Sequence, residues 1–483
     1  MAISISVLTT PTAFEPINAP LWFRINSASS SITDFKYIFR PEYRVEPFAS
    51  TIYTTLGTYK VPPKPTTGDG LFSPHRTLKS FIVNNSLPYI NGFSASTSAL
   101  IDYRMKYGFE WTPNVRFDNT IQVVSGSSYM GLTFSTAHDL AVGDIITLNK
   151  DNKNYNPQYD GTCSVTFVIN TLSVRTDKLY NTSTVLSNES GYITNQFRIV
   201  GTVSNFYTWN GTRQYEERTK DFTQYLIATQ SAGPVGKFLT NCYNVTTAKP
   251  VQLDDYETLS LTLPATPLTP YYLMVNTYNV SGGLIGSYTA ATMSTNTYRR
   301  LDIGVGPANL PTIPFTNVDS YEVYVKNSTA PFTVGMSEVR KYKIDTQCSN
   351  YDKQRMVFLN RMGGWDYFSF TLDTKRSVNI TRTEYEKILA WNYTVGDRGK
   401  TLLAQKAEAK MTTNSNWITE KDAIWLEELI TSPEVYILST TNNTKLPIII
   451  TDNSYEVKTA LRNQMFNLVL NYKFAYDINL QNE

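Results

Sequence analysis

Histidine is nearly absent from this chain: His75 and His138 are the only two in 483 residues. A metal centre or a triad built on histidine would need one of them, and neither has partners at ligand or triad spacing. His75 lies in a Ser-Pro-His-Arg loop and His138 in a turn beside Asp139, so surface or turn roles are expected for both. Cysteine is scarce too. Cys163, Cys242 and Cys348 are far apart, odd in number and form no CxxC, which excludes a disulfide framework and fits a reducing compartment. No run approaches the roughly 18 apolar residues of a membrane helix. The start, MAISISVLTTPTAFEP, lacks the basic and apolar regions of a signal peptide, so none is expected. Phosphate-binding glycine loops are missing, because Gly304-Val305-Gly306-Pro307 breaks the dinucleotide pattern and opens no helix. Charge is low and balanced: Lys+Arg 43 against Asp+Glu 41, with charged residues at 17%. That balance gives no support to a nucleic-acid or membrane-surface binder.

Uncharged polar residues and 33 tyrosines fill the gap, and aromatics at 13% can supply a core, so disorder is not expected. The length calls for about three domains. The organising stretch is QRMVFLNRMGGWDYFSF, Gln354 to Phe370: an apolar strand, a glycine pair, then a second strand carrying Trp365, Tyr367, Phe368 and Phe370. It reads as two core strands meeting at a corner, the glycines permitting a tight turn or bulge.

Before it, the chain reads as β modules. Leu21–Ile25, Asp34–Phe39 and Tyr103–Trp111 are strands of a first module, with a Pro/Gly loop over 61–74 long enough to be an arm or binding loop. Residues 116–203 read as a small barrel, keyed by AHDLAVGDIITL (Ala137–Leu148). It is inserted between strands of the first module, which is expected over 1–115 and 204–250. Residues 251–347 read as an immunoglobulin-like or fibronectin-like sandwich. Residues 348–483 read as a mixed α+β domain. There Arg376–Thr381 and Gly399–Met411 alternate as strands, and the segment around Tyr385 is taken as strand. One clear helix spans Glu420–Ile430, with Thr419 and Asp422 forming a capping box and Trp425, Leu426, Leu429 and Ile430 one apolar face. The expected fold class is therefore mainly β and multi-domain: an inserted small barrel, a sandwich and a C-terminal mixed domain with one helix.

Candidate sites all have a structural alternative that reads better. Asp139 and Asp144 could pair, but Asp144 sits where aspartate bonds its own turn. Glu427-Glu428 diverge on a helix, and Asp254-Asp255 fall in a linker. The basic pairs Arg299-Arg300 and Lys375-Arg376 read as solvated. The aromatics of 365–370 could stack on a sugar, yet strand spacing beside an apolar run favours core. The sequence thus nominates no catalytic, cofactor-binding or metal residues, and the protein is expected not to be an enzyme.

Several segments together resemble large tail-associated virion proteins of crAss-like and related Bacteroidetes phages. They are FLNRMGGWDYFSF (Phe358–Phe370), GDRGKT (Gly396–Thr401), SNWITEKDAIWLEELITSPEVYI (Ser415–Ile437), SYEVKTALRNQMFNLVLNYKFAYD (Ser454–Asp477) and FEPINAPLWFRINS (Phe14–Ser27). AHDLAVGDIITL is similar to a small barrel of phage tail proteins. The resemblance implies a tail or neck ring component in the virion, made in the host bacterial cytoplasm. It would be homo-oligomeric, with a dodecamer compatible, and would touch the portal and adjacent tail proteins. DNA would pass through the lumen without sequence-specific binding, and no membrane would be engaged. The alternative is a tail adhesin that recognises a host surface glycan.

Overall fold

The structure is a computed structural model that describes residues 3–48, 51–122, 129–151, 160–179, 190–227, 235–264, 270–294, 298–327, 336–346, 351–439, 442–452 and 465–476. The chain divides into two compact units, Met1–Ile82 with Leu100–Trp209, and Val83–Ala99 with Asn210–Glu483.

In the first unit three long strands carry the sheet: β1 Lys36–Val45, β2 Leu100–Trp111 and, later in the chain, Gly191–Trp209. All pair antiparallel, with β2 in the middle. Period-2 alternation sends Tyr37, Phe39, Tyr103, Met105 and Phe109 into one core with Phe23, Ile25 and Leu78, the last on the short helix α1 His75–Lys79. The barrel comprises β3 Tyr129–Thr133, β4 Ile145–Lys150, β5 Gly161–Asn170, β6 Ser173–Leu179 and the first half of the nineteen-residue strand β7 Gly191–Trp209. Residues 115–122 close it. Val115–Phe117 pairs with β7 and Asn119–Gln122 with β3, so one segment joins both ends of the row. Its interior is Phe117, Met130, Leu132, Ile146, Cys163, Val165, Val174 and Ile193. The second half of β7 pairs with β2, so a single strand passes from the barrel into the parent sheet.

The second unit begins with a sandwich. One sheet holds Lys249–Val251, β9 Tyr271–Tyr278, β10 Leu284–Met293, β12 Ser320–Lys326 and β13 Arg340–Ile344; the other holds β8 Thr258–Thr262, β11 Arg300–Gly304 and Phe93–Ala95. Leu259, Leu261, Leu273, Val275, Ile303, Tyr321 and Val323 fill the space between. Two pieces here belong elsewhere by sequence pattern. Residues 83–99 and 210–250, expected in the first module, lie in this unit. The reason is side-chain burial: Ile227 and Phe238 sit in the sandwich core, and bridges join Leu226 to Thr262 and Gly236 to Ser337.

The unit ends in a seven-stranded sheet, in spatial order β15, β14, β18, β19, β20, β17, β16. These are β14 Gln354–Leu359, β15 Trp365–Phe370, β16 Thr374–Glu386, β17 Lys400–Thr419, β18 Val435–Ser439, β19 Thr444–Ile450 and β20 Met465–Phe474. The glycine pair does not make a corner. β14 and β15 form a hairpin in register Leu359↔Trp365. Gly363 holds φ +77, and the Gly364 N–H donates to the Asn360 side chain at 2.9 Å. A Cβ on Gly364 would meet the Leu239 carbonyl oxygen at 2.1 Å, so only glycine fits. Trp365, Tyr367 and Phe370 are buried, as core. Helix α2 Glu420–Thr431 carries the expected capping box, and Ala423, Trp425, Leu426 and Leu429 are its buried residues.

Candidate functional site

The most unusual surface is the β16–β17 hairpin. Strand β17 is twenty residues long; among the described residues β20 pairs with Lys410–Thr419, and 400–409 pair with β16 to form the arm of the hairpin, where Thr401, Ala407 and Ala409 are buried. At about 3.3 Å per residue, its ten residues span roughly 33 Å. Its faces differ. Val378, Ile380, Ala407, Ala409 and Met411 share one face, whereas Lys375, Ser377, Asn379, Thr381, Lys406, Glu408 and Lys410 share the other. Every β16 residue from Lys375 on is exposed.

The tip, 387–399, is shaped by its own turns. The Thr394 N–H donates to Asp397 at 2.6 Å, and the Lys387 N–H to the Gly399 carbonyl at 2.9 Å. These hydrogen bonds to Thr394 hold the Asp397 carboxyl below its usual range. The tip also exposes Ile388, Leu389, Trp391, Tyr393 and Val395, with Trp391 at 95%. A contiguous apolar group of that size calls for a partner surface. The loop over 61–74, expected to be an arm or a binding loop, folds back at Asp69, which is buried and accepts from Arg24 and Asn26, each at 2.7 Å.

A second feature is a cavity of about 230 Å³ where the sandwich meets the C-terminal sheet, bordered by Tyr243, Gln252, Asp345, Asn416, Trp417 and Trp425. Its charged floor is a chain of buried ion pairs. Lys249 Nζ lies 2.8 Å from Glu257, Arg355 lies 2.9 Å from Glu257 and 3.5 Å from Asp255, and Lys353 lies 2.8 Å from Asp255. Asp255 is thus no linker residue. Burial pushes its carboxyl up, but the Arg355 and Lys353 charges outweigh burial and hold it below the usual range. At the cavity wall Asp422 is engaged in the α2 capping box, and burial followed by the Asp422 charge raises the Tyr243 hydroxyl. These acids are tied into structural partnerships. The cavity offers aromatic walls and polar edges suited to holding a small polar molecule rather than to moving protons.

The remaining candidates resolve structurally. His75 Nδ1 contacts the Ser73 hydroxyl at 2.9 Å. His138 caps its own turn, accepting from the Leu140 N–H at 3.1 Å while its Nε2 lies 3.0 Å from the Asn170 carbonyl. Asp144 bonds its turn through the Ala141 N–H, as expected. It is also fully buried and gripped by both arms of Arg198 at 2.6 Å, a partnership 54 residues away that no local pattern signals. Arg299 and Arg300 are not solvated. Both are buried, with Arg299 donating to the Leu263 carbonyl and Arg300 to that of Gly363 at 2.8 Å. Lys375-Arg376 is exposed, at the start of β16. Glu428 is drawn in toward Asn241 and Arg361, while Glu427 stays outside. Cys163 and Cys242 are buried free thiols, each pushed up to about 12 by burial; Cys348 lies outside the described residues. Among the described residues no group of His, Cys, Asp and Glu could hold a metal, and no helix is long and apolar enough to cross a membrane.

No family model matches the chain, and no curated protein matches it. A solved structure, the native conformation of E. coli alpha-2-macroglobulin, aligns over 98% of this chain and 38% of its own, at 8% identity and a TM-score of 0.15. The chain spans under half the length of that protein, and a likeness this low supports no inference about fold or function.

Proposed function

We propose that the chain is a structural virion protein of a bacteriophage tail or neck. Copies assemble into a ring around the DNA channel and connect the portal to distal tail components. The observation that supports this reading is the arm. The hairpin ends in exposed Ile388, Trp391 and Val395, an apolar group that makes physical sense once neighbours cover it. A head-to-tail contact closes into a ring when the rotation is right. The near-balanced net charge of +2 suits a wall that lets DNA pass without gripping it. The test is the mass of the assembled species, by native mass spectrometry and by class averages of tail particles. A closed ring of defined symmetry, with twelve copies compatible, is expected. Monomers both in solution and in the particle would overturn the proposal.

The cavity beside Trp417 favours a second reading, an adhesin that stacks a host glycan on that exposed ring. Glycan-array binding that is lost in W417A would support it, and a blank array with folded protein would remove it.

A further inference from the structure

The cavity between the sandwich and the C-terminal sheet is bordered by an irregularity in β17. Asn414 pairs with Val469 and Trp417 with Asn467, so three steps along β17 match two along β20. That is a β-bulge, which adds one residue to a strand and re-aims the side chains beside it. Ser415 and Ile418 are buried, while the two residues between them, Asn416 and Trp417, are both exposed. A regular strand would turn one of the two inward. Side chains fix the bulge. The Ser415 hydroxyl accepts from the Leu468 N–H at 2.8 Å, and the Ser415 carbonyl accepts from the Asn467 amide at 2.7 Å. An amide and an indole thus border the cavity as neighbours.

We propose that this cavity binds one uncharged pyranose ring of a glycan, with an apolar face of the sugar on Trp417 and its hydroxyls on Asn416 and Gln252. This rests on the glycan reading of the cavity and specifies the sugar class and the groups that select it.

Size sets the first limit. Drug-sized ligands occupy roughly 300–1,000 Å³, so about 230 Å³ takes one ring and leaves the rest of a glycan outside. The two indoles have different roles. Trp425 belongs to the core: its Nε1 donates to Asp366 at 2.8 Å, and Tyr243 and Phe368 lie edge-on to its ring at 6.3 Å and 6.1 Å. Trp417 is 67% exposed, so an incoming ring can cover it. Sugar hydroxyls both donate and accept, as carboxamides do. The Asn416 Oδ1 accepts from the Trp417 N–H at 2.8 Å, which orients the amide and leaves its NH2 to donate to a sugar oxygen. Gln252, whose backbone N–H donates to Asp255 at 2.9 Å, brings a second amide on a fixed backbone.

Charge decides against acidic sugars. Of the cations lining the cavity, Lys249 is engaged by Glu257, and Arg355 by Glu257 and Asp255. Asp345 and Asp422 line it as well, and among the described lining residues no third cation stands to meet a sulfate or carboxylate. An exposed tryptophan alone would fit a contact with a neighbouring copy equally well. The adjoining cavity and the amide set beside the ring are what favour a sugar.

The test titrates the full-length chain with methyl glycosides of glucose, galactose and mannose, and with the methyl glycoside of galacturonic acid and galactose 6-sulfate, read by ligand-detected NMR. At least one uncharged glycoside is expected to bind, and the acidic sugars to bind roughly tenfold more weakly or worse. W417A should weaken binding by roughly tenfold and N416A by about fivefold, while W417Y, which keeps a stacking ring, should retain most of it. Both positions are exposed, so the unfolding midpoints of these variants should match the unsubstituted chain. Acidic sugars binding as tightly as uncharged ones would overturn the sugar class and leave the glycan reading standing. Binding that survives W417A, N416A and Q252A unchanged would overturn the assignment to this cavity. No binding by any of these sugars would overturn the proposal, and a blank glycan array besides would remove the reading it rests on.

Discussion

Arg355→Met tests whether the buried ion pairs hold the sandwich to the C-terminal sheet. Arg355 is 3% exposed and bonds Glu257 at 2.9 Å, the Tyr256 carbonyl at 3.0 Å and the Ser369 hydroxyl at 3.0 Å. Methionine keeps most of the volume but leaves Glu257 with Lys249 alone and Asp255 with Lys353 alone. Removing one partner of a buried pair costs about 3–5 kcal/mol, and the surviving lysines place this loss near 3. The pH dependence is a sharper signature. The Asp255 carboxyl is held below its usual range, so its contribution is complete above the unfolded value near 4 and is lost as pH falls through the lower folded value. Without Arg355 that carboxyl moves back up. The gap between wild type and R355M should therefore be widest at neutral pH and shrink in acid. Denaturant unfolding at pH 7 and at pH 3.5, with amide exchange over 354–370 as the local readout, measures both. A loss under 0.5 kcal/mol at pH 7, or one equal at the two pH values, would refute the reasoning.

Asp144→Asn should destabilise the barrel by about 2–3 kcal/mol, since it removes a fully buried charge held by Arg198 and Gln196; thermal unfolding of the variant checks this. Asp366→Asn should act in the opposite sense. Burial lifts the Asp366 carboxyl above its usual range despite hydrogen bonds from Thr240 and Trp425. The native state then keeps a proton the unfolded chain has released, so stability falls as pH rises from the ordinary aspartate value toward the folded one. D366N should gain on wild type between pH 4 and pH 7, and parallel stability curves would contradict this. Thr419→Ala should cost about 1 kcal/mol by removing the oxygen that accepts from the Asp422 N–H, read as faster exchange in the first turn of α2.

Local signals translated well into local structure. The capping box of α2 is a three-residue pattern and appears as written. The barrel is legible because 116–203 carries turn signals at strand spacing, and because Tyr103–Trp111 and Asn205–Gly211 read as strands on either side of it; the structure pairs the two and ends the second at Trp209. What stayed hidden was long-range. Arg300 reads as half of a surface basic pair, yet the carbonyls of Leu261 and Gly363 hold it inside. Phe93–Ala95 is too short to show a period, and only its pairing with β11 makes it a sandwich strand. The hairpin at Gly363-Gly364 reads as a corner from sequence because the pattern marks a break in a strand but not the angle across it.

The arm shows the same limit most directly. Val378 and Ile380 alternate with polar residues as any half-buried strand does, so the sequence cannot tell a strand covered by its own chain from one awaiting another copy. The structure adds that this hairpin ends in exposed Ile388, Trp391 and Val395, while 410–413 are flanked by β16 on one side and β20 on the other. That arrangement predicts a gradient along the hairpin. In dispersed chains, amides at 410–413 should exchange more slowly than those of the exposed tip, 387–399. Equal protection of the tip and the sheet in a monomer would mean that the tip is stable without a partner, and the argument that it exists to meet one would lose its physical basis.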